Sequence, residues 1–266
     1  MTRVAVVTGA ARGIGAATVR GLAARGWAVL AVDRCADDPA LPYRLATRDD
    51  LGRAVADAAR AARDPDAVHG LVADVREAAA MAEAVAEAER RWGGLDAAIA
   101  VAGVIAGGVP LWEMDPRQQQ AVIDIDLGGV LALARAAIPA LLRRGEPRSG
   151  RFLAVASAAA TRGMPMLAAY CAAKAGVAGL IRALAAELGG TGVTANAVSP
   201  GSTDTPILAE SARLYGLPGG QSFAAQQPAR RLIAPEEVAA ALIWLAGEES
   251  SAMTGAVVPV DGGLAL

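Results

Sequence analysis

The stretch Val4-Ala-Val-Val-Thr8-Gly9-Ala10-Ala11-Arg12-Gly13-Ile14-Gly15 places a short β-favouring apolar run directly before a glycine-rich turn, and an amphipathic helix follows to about Arg25. Glycines after a strand let the backbone approach a phosphate closely, and the helix start offers free N–H groups and the positive end of its dipole. The spacing is Gly-x-x-x-Gly-x-Gly, not the Gly-x-Gly-x-x-Gly of the wider dinucleotide fingerprint. Strand, phosphate turn and helix form the first unit of an alternating chain.

The alternation continues. Ala28 to Val32 reads as a second strand closed by Asp33, about 20 residues past the glycines. A carboxylate there accepts hydrogen bonds from adenosine ribose hydroxyls and repels a 2′-phosphate, which favours NAD over NADP. Arg12 and Arg34 soften that repulsion. Cys35 to Thr47, with two prolines and no clear period, reads as an inserted loop. Thr47 and Asp50 then form a capping pattern opening a helix from about Arg48 to Ala62. Further strands are expected at Val68–Ala73, Leu95–Val101, Phe152–Ala156, Val193–Val198 and Ala256–Val260, and helices at Arg76–Trp92 and Pro116–Leu142. Pro235-Glu236-Glu237 is a helix start, with proline at the first position and acids in the first turn. This order predicts a single-domain α/β fold, a Rossmann-type doubly wound parallel sheet with helices on both faces and the site beyond the strands' C-terminal ends.

A second stretch carries chemistry. Ser157 closes the apolar run Phe152–Ala156, and Tyr170 and Lys174 follow, four residues apart in an Ala-rich helical segment that runs to Leu188. Positions four apart share a helix face, so the phenol and the ammonium are neighbours. At ~4 Å and an effective dielectric near 20 their attraction is on the order of 4 kcal/mol, enough to bring a phenol near the operating pH of a general acid–base. Ser157 is placed to hydrogen-bond the substrate oxygen.

These two stretches together resemble the short-chain dehydrogenase/reductase family, and the resemblance covers Arg3 to Gly263. It implies a catalytic set of Ser157, Tyr170 and Lys174, with Asp126 at the position where the family has an asparagine whose carbonyl holds a water beside the lysine. A carboxylate buried there would also pair with Lys174 and alter the tuning of the phenol. The resemblance further implies NAD contacts from Gly9, Ala11, Arg12, Gly13, Ile14, Gly15, Asp33 and Arg34. It adds Asp74 and Val75 at the adenine, Val101, Ala102 and Gly103 after the fourth strand, and Pro200, Thr203 and Thr205 at the nicotinamide carboxamide. Tyr170 and Lys174 belong to this set too, the lysine on the nicotinamide ribose. Ala100-Val101-Ala102-Gly103 stands where the family has Asn-Asn-Ala-Gly, a second departure. The insertion resembles the mycofactocin-associated branch, which implies a non-exchanging NAD reoxidised by a mycofactocin-type redox partner. A homotetramer pairing its long helices is the family expectation.

Composition narrows the rest. A chain of 266 residues suits one domain, and 54% hydrophobic with only 3% aromatic residues suits Ala-rich helices packed tightly on a sheet. A net charge of −2 argues against nucleic acid or an anionic membrane as partner. No apolar run is read as reaching the ~18 residues of a membrane span. Met1-Thr2-Arg3 passes directly into a strand, so no signal peptide is expected and cytoplasm is the default location. Cys35, Cys171 and the single His69 make no disulfide framework or zinc site, and the chemistry expected needs no metal. A lid is expected over residues 202–228. Met164, Met166, Leu167, Trp112, Ile207, Leu208 and Tyr215 are candidate pocket residues and suggest an apolar secondary alcohol or ketone. Two alternatives stay open, an ordinary exchanging NAD(P)-dependent ketone reductase and a nucleotide-binding protein without turnover.

Overall fold

The computed structural model describes residues 2–266. The chain alternates β1 (Val4–Thr8), α1 (Gly13–Ala23), β2 (Ala28–Asp33), α2 (Arg48–Ala61), β3 (Val68–Val72), α3 (Ala78–Trp92) and β4 (Ala97–Ala100). The second half follows with α4 (Pro116–Ile123), α5 (Gly129–Leu142), β5 (Arg151–Val155), α6 (Ala168–Glu187), β6 (Thr194–Pro200), α7 (Pro206–Leu214), α8 (Pro235–Ala246) and β7 (Val257–Val260). The strands form one seven-stranded sheet in the order β3-β2-β1-β4-β5-β6-β7. Every pairing in it is parallel. The order reverses between β1 and β4, and a crevice opens there at the strands' C-terminal ends.

The two faces of the sheet follow from side-chain alternation along each strand. In β1, Val4 and Val6 join the core under α3, α5 and α6, whereas Ala5 and Val7 join the core under α1, α2 and α8. All four are fully buried. Full burial of a valine-sized side chain is worth ~1.5–3 kcal/mol, so strands apolar at consecutive positions are stable only between two helical layers.

The segment expected as one helix, Pro116–Leu142, is continuous but not uniform. Asp124 to Gly128 forms a π-helical turn between α4 and α5, in which the Gly129 N–H donates to the Asp124 carbonyl. Such turns are uncommon and concentrate at functional sites. This one carries Asp126. Against the expectation that no run reaches membrane length, Pro116–Leu142 and Ala168–Glu187 do so by composition, with mean hydropathies of 1.7 and 1.3. Both pack on the sheet with half of the relevant stretch buried.

The insertion after β2 is irregular as expected and ends in the expected cap. Asp50 N–H donates to Thr47 Oγ1 at 3.2 Å, and Thr47 N–H donates back to Asp50 Oδ2 at 2.8 Å. The segment read as a lid is a mixture of loop and helix, with α7 and a 3₁₀ stretch at Gly220–Gln226.

Candidate active site

One cavity of about 610 Å³ runs along the C-terminal edge of the sheet. That lies within the ~300–1,000 Å³ usual for ligand and cofactor sites. At one end stand the glycine turn, Asp33, Arg34, Asp74 and Val75, and at the other Ser157, Tyr170 and Lys174. Gly9, Arg12, Gly13, Ile14, Gly15, Val101, Ala102, Gly103, Pro200, Thr203 and Thr205 also line it. Two of the expected site residues do not. Ala11 is buried and donates its N–H to Asp33 Oδ2 at 3.1 Å, so it positions the carboxylate. Asp126 is fully buried behind the cavity wall.

The turn after β1 requires its glycines. Gly9 has φ +66°, and a Cβ there would sit 2.6 Å from the Ala102 backbone. A Cβ on Gly15 would lie 2.0 Å from the Gly9 carbonyl oxygen. Both contacts are far inside van der Waals distance, so the turn keeps its shape only without side chains. At the end of β2, Asp33 Oδ1 accepts the Cys35 N–H at 3.2 Å while Oδ2 takes that of Ala11. Each carboxylate oxygen retains a lone pair for a ribose hydroxyl. A glycine cradle, a helix start and a ribose-facing carboxylate in one groove fit a dinucleotide.

Where the asparagines are missing at the end of β4, a threonine of β1 meets the backbone. Thr8 Oγ1 accepts from the Val101 and Ala102 N–H groups at 3.2 and 3.4 Å. Thr205 caps α7, its hydroxyl donating to the Thr203 carbonyl at 3.2 Å and accepting from Leu208 N–H at 3.4 Å.

At the chemical end, α6 carries Tyr170 and Lys174 one turn apart. Lys174 Nζ lies 5.6 Å from the centroid of the Tyr170 ring and donates to the Val155 carbonyl at 3.2 Å. It also lies 3.2 Å from Asp126 Oδ2, with the two side chains 5% and 0% exposed. The other Asp126 oxygen accepts the Val104 N–H at 2.8 Å. Gly103 is small for a reason, since a Cβ there would come within 3.3 Å of both Lys174 Nζ and Asp126 Oδ2.

This pair changes the electrostatics expected for the phenol. Burial is the largest influence on Tyr170 and pushes it up, Lys174 and a hydrogen bond with Ser157 pull it down, and Asp126 pushes it up again. The outcome is a phenol above its ordinary value, not below it. The expectation of a phenol lowered by Lys174 therefore fails, because desolvation by burial outweighs the pull of the ammonium and the Asp126 carboxylate adds to it. Burial disfavours the charged lysine, but the Asp126 carboxylate and Tyr170 outweigh it and hold Lys174 above its usual value.

Of the apolar residues expected at the substrate, Met164, Leu167, Ile207, Leu208 and Tyr215 line the cavity. Trp112 and Met166 do not; Trp112 is 84% exposed. Tyr215 donates its hydroxyl to the Pro165 carbonyl at 2.7 Å and meets Phe223 edge-on, with centroids 6.1 Å apart. This ties residues 215–223 to the loop before α6.

Two elements were missed in the sequence. Tyr43, from the insertion, accepts the Ile105 N–H at 2.9 Å, and Ile105 lines the cavity. Burial pushes the Tyr43 phenol well above its ordinary value. An aromatic residue in a proline-bearing loop of so aromatic-poor a chain was the available signal. Arg76 and Asp38 form the second element, an ion network with Arg34 and Asp74.

The sheet order, the glycine turn and the Ser157–Tyr170–Lys174 grouping define a nucleotide-binding oxidoreductase of the doubly wound class. The chain belongs to the short-chain dehydrogenase/reductase family: the family model described as enoyl-(acyl carrier protein) reductase matches residues 9–265. It is 39% identical to a cis-4-hydroxycyclohexanecarboxylate dehydrogenase of Sinomonas cyclohexanicum, over 98% of this chain and 96% of that protein. It is 35% identical to a 2-dehydro-3-deoxy-L-rhamnonate dehydrogenase (NAD(+)) of a Sphingomonas species, over 98% and 94% of the two chains. The crystal structure of carveol dehydrogenase from Mycobacterium avium in complex with NAD superposes with a TM-score of 0.91 at 31% identity, covering 98% and 97%.

Proposed function

We propose that this protein is an NAD-dependent dehydrogenase that interconverts an apolar secondary alcohol and its ketone. The observation that carries this is that one continuous cavity holds Asp33 and the glycine turn at one end and Ser157, Tyr170 and Lys174 at the other. NAD is the cofactor because Asp33 lines the adenosine end of the cavity, one relative is named for NAD(+) and one related crystal structure is a complex with NAD. Gly9, Gly13, Ile14 and Gly15 would hold the pyrophosphate, Asp33 the adenosine ribose, Asp74 and Val75 the adenine, and Thr203 and Thr205 the carboxamide.

Bound there, the oxidised cofactor would supply the hydride acceptor for alcohol oxidation and its reduced form, NADH, the hydride donor for ketone reduction. The phenolate of Tyr170 takes the alcohol proton, and the neutral phenol returns it to a ketone oxygen. Ser157 orients that oxygen by hydrogen bonding. Lys174 places positive charge below the phenol, while Asp126, held by Val104, limits how much of that charge the phenol feels. Asp126 touches Lys174 and not the cavity, so it is a positioning residue. Leu167, Ile207 and Leu208 give the substrate end an apolar wall. The name of the Sinomonas relative describes a ring alcohol, which suits such a wall.

Part of this reading is that the NAD does not exchange freely and is reoxidised by a mycofactocin-type partner. The support is the insertion, which places Leu45 and Ala46 on the cavity beside Asp33 and is fastened by Tyr43 to Ile105. Opening it breaks several bonds at once, and such constraints act mainly on the off-rate. The family homotetramer, paired through its long helices, completes the proposal.

The test has two parts. Denatured, freshly purified protein is analysed for released nucleotide, and turnover of a secondary-alcohol panel is compared with added NAD and with an artificial electron acceptor. Bound NAD(H), with cycling only on the acceptor, supports the full reading. Nucleotide-free protein cycling on added NAD would leave an ordinary exchanging dehydrogenase. No turnover with either would overturn the enzymatic reading.

A further inference from the structure

Asp38 lies in the insertion, five residues beyond Asp33, with its side chain 3% exposed. Its Oδ2 accepts from Arg34 Nη1 at 2.8 Å and lies 2.9 Å from Arg76 Nη1. Its Oδ1 accepts the Ala40 N–H at 2.9 Å, so its own turn fixes the carboxylate. Asp74 closes the ring, with Oδ2 at 3.1 Å from Arg34 Nε and 2.6 Å from Arg76 Nη2. Burial opposes the ionised form of Asp38, yet the Ala40 N–H and the two guanidiniums hold it below the usual carboxylate range.

Arg34 follows Asp33 directly, and both line the adenosine end of the cavity. An arginine beside the ribose is the group that ordinarily accepts a 2′-phosphate. Its five N–H donors form a rigid fork, and a guanidinium engaged along one edge by carboxylates is not free to turn that edge to another anion. Here Asp38 takes Nη1 and Asp74 takes Nε, one donor from each of the two edges that could grip an anion bidentately, so neither edge is whole and Nη2 alone is left. The other cation at this end, Arg12, donates Nη2 to the Arg44 carbonyl of the insertion at 3.5 Å.

We infer that Asp38 is a cofactor-specificity residue: it withdraws Arg34 from the ribose 2′ position, so that the insertion reinforces Asp33 in excluding nucleotides that carry a 2′-phosphate. This rests on the dinucleotide-binding reading above. It differs from repulsion by Asp33 because its effect runs through Arg34. Asp38→Asn keeps an oxygen for the Ala40 N–H but removes the charge that holds the guanidinium.

The experiment is equilibrium dialysis of the full chain against equal concentrations of NAD and NADP, continued until the same composition is reached from either starting nucleotide. The retained protein is then denatured and the two nucleotides quantified, a readout that needs neither substrate nor turnover. The original chain is expected to retain NAD almost exclusively. Asp38→Asn is expected to raise the retained NADP-to-NAD ratio at least ~10-fold, the size of one charge-assisted hydrogen bond. Adding Arg34→Ala to that variant should abolish the gain. Arg34→Ala alone should leave the ratio where it began, since the guanidinium is already withdrawn; this arm stands even if Asp38→Asn fails to fold. An unchanged ratio in Asp38→Asn, a gain that survives loss of Arg34, or a lowered ratio in Arg34→Ala alone overturns the inference and leaves the dehydrogenase reading intact. Retention of neither nucleotide by the original chain overturns both.

Discussion

Lys174 Nζ lies 3.2 Å from Asp126 Oδ2, and both side chains are closed off from solvent. A lysine expected to act on Tyr170 alone is thus shared between a phenol and a carboxylate. The family's asparagine position has become the second pole of an ion pair, and the chemistry of the site should report it.

Asp126→Asn removes a negative neighbour of the phenol and frees the full charge of Lys174, and both changes lower the Tyr170 pKa. Alcohol oxidation needs the phenolate, so its rate rises as pH climbs through that pKa. The rising limb is expected to move to lower pH. Ketone reduction needs the neutral phenol, so its falling limb should move the same way. Rate profiles in both directions across the neutral and alkaline range measure this, and unmoved limbs would remove Asp126 from the tuning of Tyr170.

Lys174→Met strands a buried carboxylate. Breaking a buried pair from one side typically costs about 3–5 kcal/mol, whereas replacing both members is far milder. Lys174→Met should lose stability on that scale, and Lys174→Met combined with Asp126→Asn should recover most of it. Urea unfolding of the three proteins provides the comparison. Equal losses in the single and double variants would mean that the pair is not ionised in the folded protein.

Tyr170→Phe deletes the acid–base hydroxyl and keeps the ring that packs against the core. Turnover should fall by ~10²–10⁴-fold with nucleotide content unchanged. Activity near that of the unaltered protein would require another proton carrier.

Tyr43→Phe leaves the Ile105 N–H without its acceptor and unfastens the insertion. An unsatisfied buried donor costs about 1–3 kcal/mol, and part of that should appear as faster nucleotide loss. The rate at which bound NAD is replaced by labelled NAD is the measurement. An unchanged rate would show that the insertion does not retain the nucleotide.

How much of this was legible beforehand depended on range. The glycine turn, the Asp33 strand end, the Thr47–Asp50 cap and the placing of Tyr170 over Lys174 are local, set by residues within about a turn or two of one another. Period, capping chemistry and turn residues specify such features with no knowledge of the remaining chain. The doubly wound parallel sheet also followed, because strands alternating with helices pair in parallel through crossovers that cover both faces.

Contacts between distant segments were decided only by the tertiary structure. Asp126 could be aligned with a family position, but its pull on the phenol depends on full burial and on the π-helical turn that carries it to Lys174. Desolvation is a property of the packed interior, and here it reverses the direction expected for Tyr170 from charge proximity alone. Tyr43 and Ile105 are 62 residues apart, and the ring joining Arg34, Asp38, Asp74 and Arg76 links the segment that follows β2 to the loop between β3 and α3. No local pattern encodes such pairs. They exist because the parallel sheet brings the C-terminal ends of β2, β3 and β4 to one edge, where loops with no period of their own are fixed by one another's charges and hydrogen bonds.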